Sequence, residues 1–155
     1  MMHGLPDELR RSLSAALRTG RVGRLVSIRL HGLTSSDDLL NCAAVLITDC
    51  GSFFASLLES VMAQSHGDRS SMSVQCRMAC GELVLLTLSR VPQADEHLEC
   101  FLLGSHGLIE LTHPANSGSP FLWQHGESPT NRQQNKTAAA IDASLRTNQC
   151  ISITN

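Results

Sequence analysis

The chain has 155 residues, of which 42% are apolar and 17% charged, and a formal charge of −2. That length suits one domain rather than two, and that composition belongs to a chain with a packed core, not to a disordered one. A near-neutral charge gives no general reason to expect nucleic acid; no apolar run reaches the roughly 20 residues of a membrane span, and the start lacks a signal-peptide core, so a cytoplasmic protein is expected.

Leu5 to Thr19 reads as a helix. Pro6 suits its first turn, Leu9, Leu13, Ala16 and Leu17 recur at helical spacing, and Gly20 can take the left-handed position after its end. Arg10, Arg11 and Arg18 fall on its solvated face, with Arg21 and Arg24 following. After Gly23 the period changes to two, with Val26, Ile28 and Leu30 on one side and Ser27, Arg29 and His31 on the other, as in a half-buried strand. Leu33 to Leu40 is polar enough to be a loop. Phe54, Leu57, Leu58, Val61 and Met62 predict a second amphipathic helix over Ser52 to Gln64, with Ser52 as its cap.

Four short strands are predicted at Met72–Ala79, Glu82–Arg90, His97–Leu103 and Leu108–Thr112. Their short connections imply antiparallel neighbours. In the second, Leu83 and Leu85 oppose Val84, Leu86 and Leu88, so both faces are apolar and the strand should be central. Residues 113–130, with three prolines and the single Trp123, read as a long loop within the domain, anchored by Trp123. A last helix carries Ala138, Ile141 and Leu145 on one face, and Cys150 to Ile153 reads as a closing strand. One domain is expected over residues 1–155, with its core between about residues 5 and 153.

The six cysteines, Cys42, Cys50, Cys76, Cys80, Cys100 and Cys150, have neither paired zinc-site spacing nor the density of a disulfide scaffold, and read as reduced, small apolar side chains. Cys76 and Cys80 with His97 or His106 fall short of a placed set of about four ligands, so no metal is expected. His31 and His106 lack an evident acid partner and read as exposed imidazoles. His113 and His125, with Glu127, lie in the long loop, where a site is conceivable but unsupported.

Three segments carry a resemblance. Ala16-Leu-Arg-Thr-Gly20-Arg-Val-Gly23-Arg-Leu-Val-Ser-Ile-Arg-Leu30 resembles the helix-to-strand passage opening the C-terminal domain of the Gfo/Idh/MocA oxidoreductases. Leu102-Leu-Gly104-Ser-His-Gly107-Leu-Ile-Glu110 is similar to that family's tight hairpin, and Ala139 to Ile151 to its closing helix and strand, with Asn148 where a left-handed glycine usually stands. The resemblance implies an α+β fold: an open, mainly antiparallel sheet with helices on one face, whose exposed face forms the oligomer interface.

The resemblance also marks departures. None of the glycines matches GxGxxG, so no dinucleotide cofactor is expected to bind here, and the family's Glu-Lys-Pro signature has no counterpart. The family pattern resembling D-x-G-x-H-x-x-D falls on Asp49-Cys-Gly51-Ser-Phe53-Phe-Ala-Ser56, with Phe53 at the histidine and Ser56 at the second carboxylate. A phenyl ring carries no proton, so no catalytic residue is expected; Asp49 and Gly51 then read as turn residues before a helix. Phe53, Phe54 and Trp123, with Asp49 and Ser56, could line a vestigial pocket. The expected function is a non-catalytic oligomerisation or binding domain, a homodimer through its sheet face. The alternative is the substrate-side subunit of a divided oxidoreductase whose dinucleotide-binding domain is a separate chain.

Overall fold

The structure, a computed structural model, describes residues 4–114 and 131–153. Helix α1 (Asp7–Arg18) follows Pro6 at its N-cap, with Asp7 and Glu8 in the first turn and Arg18 in the last, charges that suit the helix dipole. It buries Leu9 and Leu13, and Gly20 follows at φ +68°. Strand β1 (Leu25–Thr34) buries Ile28 and Leu30, as its period predicts. Val26 leaves that row: a register shift between Leu25 and Ser27 changes the phase of the strand, and Val26 is exposed.

Two expected elements are corrected. The polar loop shrinks to residues 35–38, because helix α2 (Leu39–Gly51) begins directly after Asp38, whose side chain caps it by accepting from the Asn41 N–H at 3.0 Å. Ten of its thirteen residues are buried, so it has no polar stripe for a periodicity argument to find. Residues 58–64, expected to belong to a helix over Ser52 to Gln64, lie instead in strand β2 (Leu58–His66). The apolar set at Leu58, Val61 and Met62 fits either period. Pairing decides it: β2 turns through Gly67 (φ +65°) and Arg69 (φ +69°) into β3 (Ser71–Met78), and the two form a hairpin in which Val61 and Ala63 are buried.

Strands β4 (Leu83–Arg90), β5 (His97–Gly104) and β6 (Gly107–Pro114) lie where alternation places them, followed by α3 (Asn131–Thr147) and the short β7 (Ile151–Ser152). Asn148 adopts φ +53°, the left-handed helix end its position implied. Ser144 ties α3 into the sheet, accepting from the Ala63 N–H and donating to the Gln149 carbonyl.

The described strands form one sheet in the order β6-β5-β1-β4-β3-β2-β7, antiparallel throughout except for the β1–β4 pair. As predicted, β4 is central. Its expected antiparallel neighbour β5 is displaced, however, because β1 inserts between them. The connection at residues 91–96 passes the end of β1, held by the Val91 N–H on the Thr34 carbonyl. Helices α2 and α3 pack together and onto one face, over Ile28, Leu30, Val84, Leu86, Leu88, Leu98, Cys100 and Leu102. Against the other face the described residues place no helix.

Two of the segments quoted for the resemblance meet in space. The Ser105 N–H donates to the Arg24 carbonyl, the His106 N–H to the Val22 carbonyl, and the Arg24 N–H to Ser105 Oγ. The passage between α1 and β1 thus clasps the β5–β6 hairpin. Gly104 permits the approach, since a Cβ there would lie 2.0 Å from the Val22 carbonyl oxygen.

Candidate functional site

The residues of the expected vestigial site sit at the C-terminal end of α2 and in the loop that follows. Asp49 is not a turn residue before a helix; it closes the buried last turn of α2, with 2% of its surface exposed. Its Oδ2 accepts from the Leu5 N–H and from Arg10 Nη2, each at 2.8 Å. Burial pushes its carboxyl up, while the Leu5 N–H and the Arg10 charge oppose the shift. Gly4, at φ +139°, makes the contact possible, because a Cβ there would stand 2.4 Å from Asp49 Oδ2. This carboxylate, buried and engaged through Oδ2, pins the chain's N-terminal segment to α2, a structural task.

Its companions are similarly committed. Phe54 is buried in the core, Phe53 packs half-buried against it, and the Ser56 hydroxyl donates to Glu82 at 3.1 Å. Trp123, His125 and Glu127 lie outside the described residues. Neither of two concave regions formed by described residues is lined by Asp49, Phe53, Phe54 or Ser56.

The larger of these, about 500 Å³, opens at the other end of α2, roughly 16 Å from Asp49 at 1.5 Å per helical residue. Asp37, Asp38 and Leu39 at the α2 start, Arg69 of the β2–β3 turn, Met72 of β3, and Asp142 and Arg146 of α3 line it. Asp37 pairs with Arg90, and Asp142 with Arg146 at 2.6 Å, so most of the lining charge is internally balanced. Asp38 falls in the stretch that reads as a loop, and the convergence of four elements is a matter of strand order.

The second concave region, about 450 Å³, lies on the sheet face away from the helices and is lined by Arg29, Met62, Gln64, Ser73, Gln75, Leu85 and Thr87, among others. On this face the cross-strand pairs set Glu110, Phe101, Arg29, Leu85, Gln75 and Met62 in one row, and Leu108, Leu103, Ser27 and Leu83 in the next. Leu108 is 60% exposed and its direct partner Leu103 45%, so β5 and β6 hold an uncovered apolar pair.

The same face changes the reading of two histidines. His31 does have an acid partner, since its Nδ1 lies 3.5 Å from Glu99 Oε2, and His97 Nε2 lies 3.3 Å from Glu99 Oε1. Sequence spacing could not show this, because β1 and β5 are joined only by the fold. His106 sits exposed in the hairpin turn beside Ser105 Oγ. His113 belongs to β6 rather than to a loop; it is buried, 4.0 Å from Glu8 of α1. Cys76 is buried and Cys80 exposed, and among the described residues no group of three or more His, Cys, Asp or Glu is placed to hold a metal ion. No described helix is long and apolar enough to cross a membrane.

No protein-family model and no curated protein matches the sequence. Solved structures match the fold. Myo-inositol dehydrogenase from Lactobacillus casei, in complex with NAD(H) and myo-inositol, has a TM-score of 0.71 at 15% identity, over 96% of this chain and 60% of its own. Scyllo-inositol dehydrogenase from the same organism has a TM-score of 0.66 at 13% identity, over 92% and 61%. A probable dehydrogenase from Thermotoga maritima has a TM-score of 0.63 at 13% identity, over 94% and 61%. The chain spans about 60% of the length of these proteins, and its fold is that of the C-terminal domain of Gfo/Idh/MocA dehydrogenases.

Proposed function

We propose that this chain is a non-catalytic oligomerisation and binding domain, derived from the C-terminal half of a Gfo/Idh/MocA-type oxidoreductase, that pairs with a second copy through its open sheet face. The carrying observation is the apolar group on that face: Leu103 and Leu108 exposed side by side, with Phe101, Leu83, Leu85 and Met62 in the same or adjoining rows. Six strands of about eight residues, at roughly 4.8 Å spacing and 3.3 Å rise, offer a face of about 750 Å², close to the ~800 Å² each partner gives to a standard interface. Catalysis has no support at the expected positions, where Phe53 and Ser56 replace a histidine and an acid, and Asp49 is spent on Leu5 and Arg10. Six free cysteines, four of them buried, suit a reducing, cytoplasmic setting.

The second reading makes this chain the substrate-side subunit of a divided oxidoreductase, paired with a separate dinucleotide-binding protein. The roughly 500 Å³ cavity at the α2 start favours it, being within the usual volume range of ligand sites. Light scattering over a concentration series, with and without NADP, separates the two. The first reading predicts a dimer indifferent to nucleotide, which Leu103→Glu with Leu108→Glu converts to a folded monomer by circular dichroism. A wild-type monomer at every concentration contradicts it and makes capture of a nucleotide-binding protein the next experiment.

A further inference from the structure

The open face carries a cluster of titratable groups beside its apolar rows. His31 and Glu99 are direct cross-strand partners on β1 and β5, and His97 stands two residues from Glu99 along β5, so all three project from the same face. Both carboxylate oxygens are engaged, Oε1 by His97 and Oε2 by His31. Hydrogen bonds from these rings hold the Glu99 carboxyl below the usual carboxylate range. The acid therefore stays ionised throughout the range in which histidine side chains gain and lose protons. With both rings neutral the cluster carries one negative charge, with one ring protonated it is neutral, and with both protonated it carries one positive charge.

The groups around the cluster are uncharged or carry charges that are met nearby. Arg29 on β1 and Glu110 on β6 share the adjoining row, on either side of Phe101, and carry opposite charges. Thr112 of β6 and Thr87 of β4, in the cluster's own row, are uncharged. Arg90, at the end of β4, is paired with Asp37. Glu96, before β5, receives the Thr34 hydroxyl at 3.3 Å.

We propose that pairing of two copies through this face, which rests on the reading above, is tuned by the protonation of the His31–Glu99–His97 cluster and is tightest when each cluster holds one proton and is neutral. Two-fold symmetry places identical patches on both sides of the interface, so a charged cluster appears twice with the same sign. Association strips water from it, and a net charge loses more hydration than a neutral, internally hydrogen-bonded group.

The test is the dimer dissociation constant of the full chain, by sedimentation or light scattering, from about pH 5.5 to about pH 8.5, the range spanning histidine titration. The wild type is expected to bind most tightly in the middle and about tenfold more weakly at both ends. Glu99→Gln makes the cluster neutral when both rings are neutral, so its dimer should strengthen steadily as pH rises, without the alkaline fall. His31→Gln with His97→Gln should flatten the profile. A wild-type dimer with a flat or one-sided profile overturns this inference and leaves the dimer standing, as does a Glu99→Gln dimer that keeps the central maximum. A wild-type monomer at every pH overturns both.

Discussion

Single residues in this fold are often decided by one contact. Asp49 is the clearest case: Asp49→Ala leaves the Leu5 N–H and the Arg10 guanidinium without their acceptor and should cost roughly 2–4 kcal/mol in urea unfolding. Because burial raises the Asp49 carboxyl in the folded chain, the folded state binds a proton before the unfolded state does. Its contribution to stability therefore grows as pH falls from neutral through the raised folded value, and is complete below the ordinary carboxylate range. Against Asp49→Asn, which keeps an acceptor but cannot ionise, the wild type should gain relative stability on acidification; a difference independent of pH contradicts this. Thiols offer a second check. Burial pushes Cys76 and Cys100 up to about 12 and Cys50 well above its usual value, while Cys80 and Cys150 are exposed. An aromatic disulfide reagent should label Cys80 and Cys150 quickly in the native protein and the buried cysteines only on unfolding. The apolar role of Cys42, Cys50, Cys76 and Cys100 was legible in the sequence, whereas Cys80 and Cys150 are exposed instead. The tasks of Asp49 and Glu99 were not legible, because Asp49 meets Leu5 and Arg10, and Glu99 meets His31, across long chain separations.

At the scale of elements, legibility followed amphipathicity. Helix α1 and strands β3 to β5 bury alternate or every third to fourth residue, and their periods read correctly. Helix α2 is apolar on all sides because it lies between the sheet and α3, so it has no period to find, and its cap lies in a stretch polar enough to read as a loop. The β2 strand carries apolar residues at positions shared by both periods, and only its pairing with β3 separates them. The clasp between the α1–β1 passage and the β5–β6 hairpin gives a paired prediction. Gly104→Ala drives a Cβ into the Val22 backbone and should destabilise by roughly 3 kcal/mol or more, whereas Gly107→Ala meets nothing within 4 Å and should be near neutral. Thermal unfolding of the two variants checks it; equal midpoints would mean the clasp yields freely. In α2, Leu46→Ala empties a fully buried position and should cost about 2–5 kcal/mol.

For the whole molecule, the apolar character of both faces of β4 announced a strand at the centre of the sheet, and the fold places it there, with helices over one face. Strand order was not legible: the insertion of β1 between β4 and β5 is what sets His31 beside Glu99 and Arg29 between Phe101 and Leu85. The likeness to inositol dehydrogenases covers nearly all of this chain and about 60% of theirs, so what carries over is a scaffold: helices on one side, an open sheet on the other. Self-association through that sheet face is the proposal on which the function rests. Hydroxyl-radical footprinting at high and low protein concentration tests it most directly, because it reads side chains. Phe101, Leu103, Leu108 and Met62 should become protected as concentration rises, while Leu40 and Leu145 on the helical side keep their labelling. Protection confined to the helical side, or none at any concentration, would contradict it.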